Sequence, residues 1–216
     1  MNYGAVIKVL GNLLMIEAGL MIPSFFVAIY YNQWDKRAFL ISIIITGVIG
    51  FIMSKSFEYK KGIKAKEGLA IVALGWILAS FFGSLPFVFS GSIPSWVDAF
   101  FETVSGFTTT GATIVDDVEL LPKGILFWRS FTHWIGGMGI LVFTIAVLPT
   151  LGVGGFQIFK VESPGPKPDR IVPRVKDTAK ILYTTYLVIT LLEIVLLLLG
   201  GMSLFDAAVH TFGTDR

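Results

Sequence analysis

Residues 98 to 113 read "DAFFETVSGFTTTGAT" and lie between two long apolar runs. The first ten suit a short helix with Asp98 at its start, where a carboxylate can cap free amide groups and meet the positive end of the helix dipole. Ten residues reach roughly 15 Å, half the apolar thickness of a bilayer. The polar, glycine-punctuated run that follows, "TTTGAT", then falls at or near membrane depth. Irregular backbone is tolerated there only when it is packed in protein or lines a water-filled path. With the negative helix end facing it, such a path favours a cation.

Composition puts this stretch inside a membrane protein. Of the 216 residues, 54% are hydrophobic and 15% charged, with a mean hydropathy of +0.77; a soluble domain of this size has a different balance. The formal net charge of +2 is spread over loops, which speaks against a nucleic-acid partner, since that needs clustered basic surface. The chain has no cysteine, so disulfides and thiolate chemistry are excluded.

Apolar runs of spanning length recur at about residues 4 to 31, 38 to 53, 68 to 90, 125 to 149 and 181 to 199, against a requirement of roughly 20 residues. The expected fold is an all-α, multi-pass membrane protein of about five transmembrane helices with re-entrant pore half-helices. Residues 38 to 53 cover only about 24 Å at a rise of about 1.5 Å per residue, so this helix needs its flanks to cross. Five lysines in residues 54 to 67 and six Lys or Arg in residues 160 to 180, against two in "NQWDKR", put both basic loops in the cytoplasm. The amino terminus is then inside, and the segment from Pro86 to Ile125 is outside with Asp116, Asp117 and Glu119. Four prolines between Thr150 and Lys180 exclude a continuous helix there and leave a cytoplasmic linker, either a simple connection or a docking strip.

Gly111 has access to backbone angles closed to other residues, which lets successive carbonyls turn toward one axis and replace the water shell of an ion. Thr108, Thr109, Thr110 and Thr113 add hydroxyls, and Ala112 completes the loop. The competing reading is a polar extracellular connection. After the last apolar run comes "LFDAAVHTFGT", which lies on "WVDAFFETVSGF" with Asp98 over Asp206, Ala99 over Ala207 and Thr103 over Thr211. Each follows a spanning helix, as a helix, pore loop, helix repeat requires.

"DAFFETVSGFTTTGAT", "FWRSFTHWIGGMGILVFTIAVLP", "GVGGFQIFKVESPGPKPDRIVPRVKDTAK" and "GMSLFDAAVHTFGT" resemble, in order and spacing, the TrkH-type potassium-uptake subunits of the bacterial Trk/Ktr superfamily. The resemblance implies four repeats around one pore, with Gly111 as the first filter glycine flanked by Thr109 and Thr110, and potassium as substrate at these three residues. It also implies a multi-pass protein of the cell (inner) membrane, in contact with lipid. The resemblance implies as partners a second copy of the full-length protein, in a homodimer, and a cytosolic nucleotide-binding regulatory subunit of the TrkA type. No organic cofactor and no enzymatic activity are expected. On this basis residues 1–67 form a two-helix extension with a cytoplasmic loop, 68–149 the first repeat, 150–180 the linker, and 181–216 the start of a second repeat that ends before its filter. The chain reads as an amino-terminal fragment.

Within the fourth run, Arg129 and His133 share one helix face. The expected roles are snorkelling or a pairing of Arg129 with the pore-helix acid Glu102, and packing for His133. "GGMG" at residues 136 to 139 reads as close helix packing and "GVGG" at 152 to 155 as a turn, since neither sits in a strand-to-helix phosphate loop. Glu17 and Glu193 lie within apolar runs. The leading function is potassium uptake through carbonyls around Gly111, with Asp98, Glu102 and Asp206 supporting the pore helices. Sodium or non-selective conduction, or a non-conducting scaffold, are the rivals. Reporter fusions should place residues 60 and 170 in the cytoplasm and residue 117 outside; a cytoplasmic readout at 117 would remove the pore-loop reading.

Overall fold

A computed structural model describes residues 2–56, 65–147 and 175–214. Most of the first basic loop, nearly all of the proline-rich linker, "GVGG" and the last two residues lie outside the described residues. Among the described residues every regular element is a helix, and the chain is a multi-pass membrane protein. The candidate spans are Tyr3–Tyr30, Asp35–Lys55, Lys66–Ser90 and Lys180–Leu199. A further helix, Lys123–Val147, has 25 residues and is long enough to cross.

The first span is not one uninterrupted helix. It divides into α1 (Tyr3–Leu20) and α2 (Ile22–Tyr30) at Met21, because Pro23 lacks the amide that would continue the ladder. Helix α3 (Asp35–Lys55) has 21 residues, so the flanks of the short second run are indeed recruited. Glycines set the α1–α3 crossing: a side chain on Gly11 would strike the Gly50 carbonyl at 2.7 Å, and one on Gly50 the Gly11 carbonyl at 2.8 Å.

The third span divides likewise, into α4 (Ala65–Gly83) and α5 (Leu85–Ser90). Pro86 removes one ladder bond, and the Phe87 amide bonds to the Ser84 carbonyl at 3.1 Å, one residue short of the α-helical partner. That shift frees the Gly83 carbonyl. The fully buried Trp128 fills the vacancy, its indole N–H donating to Gly83 O at 2.9 Å. Gly91, at φ 73°, ends the span in the left-handed conformation that suits glycine.

Helix α6 (Trp96–Phe107) is the half-helix, and it begins two residues before Asp98. The cap is Ser95, whose hydroxyl accepts from the Asp98 amide at 3.4 Å. Asp98 is therefore a first-turn residue facing the helix dipole, not the cap the sequence reading assigns. Helix α7 (Lys123–Val147) follows a 3-10 turn at Val118–Leu120. Its free first amides are satisfied from far away: Gln33 Oε1 accepts from the Lys123 amide at 2.6 Å, and buried Asp35 Oδ2 from the Ile125 amide at 3.2 Å. Gly124 leaves room for that carboxylate. Residues at and just before the start of α3 thus cap the helix that follows the loop after α6.

Helices α8 (Val175–Leu199) and α9 (Leu204–Thr214) complete the chain. Ser203 Oγ accepts from the Asp206 amide at 3.1 Å and donates to the Asp206 carboxylate at 2.7 Å. Phe212 of α9 meets Phe127, Phe131 and Trp134 of α7 at ring distances of 5.6, 5.4 and 5.4 Å. The two half-helices therefore pack against the same helix, α7. The main core, including Met21, Phe39, Phe87, Phe107, Ile125 and Trp128, lies among α2, α3, α5, α6 and α7.

Replacing Asp35 with Ala removes a buried cap and should lower unfolding stability by about 1 to 2 kcal/mol, read as a lower thermal midpoint of the purified protein. Asp35→Asn keeps an accepting oxygen and should recover more than half of that loss.

Candidate cation-binding loop

The loop after α6 is held by its donors. Amides of Thr108, Thr109 and Thr110 donate to the carbonyls of Val104, Gly106 and Ser105 at 2.9, 2.9 and 3.0 Å, which satisfies the open carboxyl end of the half-helix. Ser105 Oγ then reaches across the loop and donates to the Ala112 carbonyl at 2.6 Å. Thr108 Oγ1 donates to Val104 O at 2.7 Å and lies 2.8 Å from Thr110 Oγ1. Gly111 has φ 76°, the conformation expected from its type. Thr109, at φ 56°, is a second left-handed residue that the sequence gives no reason to expect; a β-branched side chain there costs on the order of 1 to 3 kcal/mol.

Between these anchors, the carbonyl oxygens of Thr108, Thr109, Thr110 and Gly111 accept no hydrogen bond from the described residues. These residues are exposed or half-exposed, so the four unused acceptors are open to an ion, and their place just past the negative end of a helix makes them candidate cation ligands. Among the described residues no group of three His, Asp or Glu could hold a metal ion; oxygens of the loop itself are the available ligands.

The far side of the loop is tied to Glu102, which is 1% exposed. Its carboxylate accepts from Thr113 Oγ1 at 3.0 and 3.1 Å and from the Ile114 amide at 3.0 Å, and Arg129 Nε of α7 donates to Oε1 at 2.6 Å. One carboxylate thereby joins the half-helix, the exit of the loop and the next helix. His133, one turn along α7, has Nδ1 at 2.9 Å from the Arg129 carbonyl; a carbonyl can only accept, so Nδ1 carries the proton. Small residues let α7 approach. A side chain on Gly106 would collide with Thr132, and one on Gly136 with the Phe107 carbonyl, so the first glycine of "GGMG" serves packing.

The structure brings Glu102, Arg129, Thr108, Thr109, Thr110, Gly111 and Ala112 into one neighbourhood. Asp98 stands at the opposite end of α6 from the loop, and Asp206 holds the matching place on α9. The residues missed on sequence are Ser95, Ser203, Ser105 and Asp35. A signal exists for the first two, because "SWVD" and "SLFD" share a Ser-x-x-Asp capping pattern that extends the repeat alignment by one identity. No local pattern points to Ser105 or Asp35, whose partners lie across a loop or in another helix.

Residues 35–214 match the TrkH family of cation transport proteins. The chain belongs to this family. It is 41% identical over 217 residues to the Trk system potassium uptake protein TrkH of Salmonella typhimurium, with 99% of this chain and 45% of that protein covered. With Halomonas elongata TrkH the identity is 38% over the same coverage, and an uncharacterized cation transporter of Methanocaldococcus jannaschii is 36% identical over 94% of this chain and 42% of its own length. The crystal structure of the potassium transporter TrkH from Vibrio parahaemolyticus superposes with a TM-score of 0.83 at 36% identity, covering 98% of this chain and 42% of that one. The chain thus spans less than half the length of these TrkH relatives.

Glu102→Ala should destabilise the protein by about 3 kcal/mol, since it strands a largely buried guanidinium and two further donors, Thr113 Oγ1 and the Ile114 amide, at once. Chemical unfolding monitored by tryptophan fluorescence measures this. Arg129→Gln, which leaves the Thr113 and Ile114 bonds in place, should cost less.

Proposed function

We propose that this chain supplies the first pore loop of a potassium-uptake pore, with Thr109, Thr110 and Gly111 as ion ligands through their carbonyl oxygens. The observation that carries this reading is the run of free carbonyls held between a half-helix and the Glu102 clamp. The relatives are named for potassium uptake, which supports potassium as the substrate. One such loop offers ligands from one side only, and an ion needs a near-complete shell of oxygens. The pore is therefore completed by equivalent loops, to which α9 is the approach in the second repeat.

In this reading the α6 carboxyl end supplies a negative field at the loop, Asp98 stabilises the opposite end of that half-helix, and Asp206 does the same on α9. The domain boundaries follow: residues 1–67 as extension, 68–149 as the first repeat, 150–180 as cytoplasmic linker and 181–216 as the opening of the second. The relatives are proteins of a Trk system, which supports a multi-component assembly; a homodimeric pore protein with a nucleotide-binding regulator of the TrkA type fits it.

The test is Gly111→Ser in the full-length protein. A side chain at φ 76° strains the loop by about 1 to 3 kcal/mol and displaces the adjacent carbonyls, so the ratio of potassium to sodium uptake should fall while membrane insertion stays normal. Ala112→Ser should be milder. Parental selectivity and growth at limiting potassium in Gly111→Ser would make the loop an ordinary connection and favour a scaffold role.

A further inference from the structure

Glu17 lies midway along the span Tyr3–Tyr30 and is 4% exposed. Neither of its carboxylate oxygens has a hydrogen-bond partner among the described residues. An acid in this position is costly, and nothing in the pore loop uses it. It lines a cavity of about 310 Å³ where α1, α4 and α7 meet, with Leu13, Ile71, Trp76, Phe107 and Trp128 among the walls. Apart from Glu17, every residue lining the cavity is apolar, aromatic or glycine.

We propose that this cavity is a binding site for a small amphiphilic amine, with the ammonium on Glu17 and the hydrocarbon body against the aromatic and aliphatic walls. Three features select that chemistry. Glu17 is the one ionisable group on the wall and its oxygens are unused, which calls for a cation or a hydrogen-bond donor. Trp76 and Trp128 flank Phe107 at ring distances of 6.5 Å each, and aromatic faces attract ammonium groups more strongly where water is excluded. A bare alkali ion is disfavoured, because two oxygens in a hydrocarbon wall cannot replace its hydration shell. The volume suits a ligand at the small end of the usual range. The depth of Glu17 along its span puts the site below the level of lipid headgroups. Because Phe107 is the last residue of α6, an occupant would touch the helix end that carries the loop.

The site is tested with 8-bromooctylamine, whose bromine quenches nearby tryptophan fluorescence, on the purified full-length protein. Its neutral analogue 8-bromooctanol reports simple partitioning. The amine should give a saturable quenching component that the alcohol lacks, and Glu17→Gln should weaken it at least tenfold. Ile71→Phe, which fills the cavity but keeps the carboxylate, should abolish it, so a misfolded Glu17 variant does not decide the matter. Equal saturation by the alcohol, or undiminished saturation in a folded Glu17→Gln or Ile71→Phe protein, would overturn the proposal. The readout is binding and is independent of ion transport.

Discussion

A single buried carboxylate, Glu102, ties the exit of the loop after α6 to α7. Placing a charge at 1% exposure is unfavourable unless its lone pairs are filled, and here Arg129, Thr113 and the Ile114 amide fill them. The consequence for the loop is indirect. With its exit fixed by Glu102 and its entry by amides bonded back into α6, the intervening carbonyls are not needed for folding. They stay available to a cation because other groups do the structural work.

The clamp works only if α7 is correctly placed, and three separate contacts place it. Gln33 and Asp35 cap its first turn from the extension, the kink at Pro86 presents the Gly83 carbonyl to Trp128, and glycines at 106 and 136 remove the side chains that would keep α6 and α7 apart. Each contact draws on a different part of the chain. Gln33 and Asp35 accordingly support the loop after α6, since without these caps the buried start of α7 would leave amides unpaired. Phe212 extends the arrangement by docking the second half-helix on the other flank of α7.

Long apolar runs and the half-helix were legible in the sequence because hydropathy acts over many residues and local errors cancel. The Glu102–Arg129 pairing could also be anticipated, since two ionisable groups at membrane depth have few alternatives to each other. The breaks at Met21 and Ser84 could have been read from Pro23 and Pro86, but an apolar run hides a proline that the helix accommodates with a shifted bond. Ser95 holds the cap expected of Asp98, because a carboxylate and a hydroxyl three residues apart are equal cap signals and only the helix start tells them apart. The left-handed Thr109 and the Asp35 cap were out of reach: each is imposed by tertiary contacts that no spacing along the chain records.

The central claim is that the carbonyls of Thr109, Thr110 and Gly111 meet the ion. Infrared spectroscopy of the full-length protein, with carbon-13 carbonyl labels at these residues, tests it most directly. Exchanging potassium for a large organic cation that cannot enter the loop should shift the labelled amide bands, while a label at Ala112, whose carbonyl is already bonded to Ser105, should move less. Labelled bands that are identical with and without potassium would contradict the account.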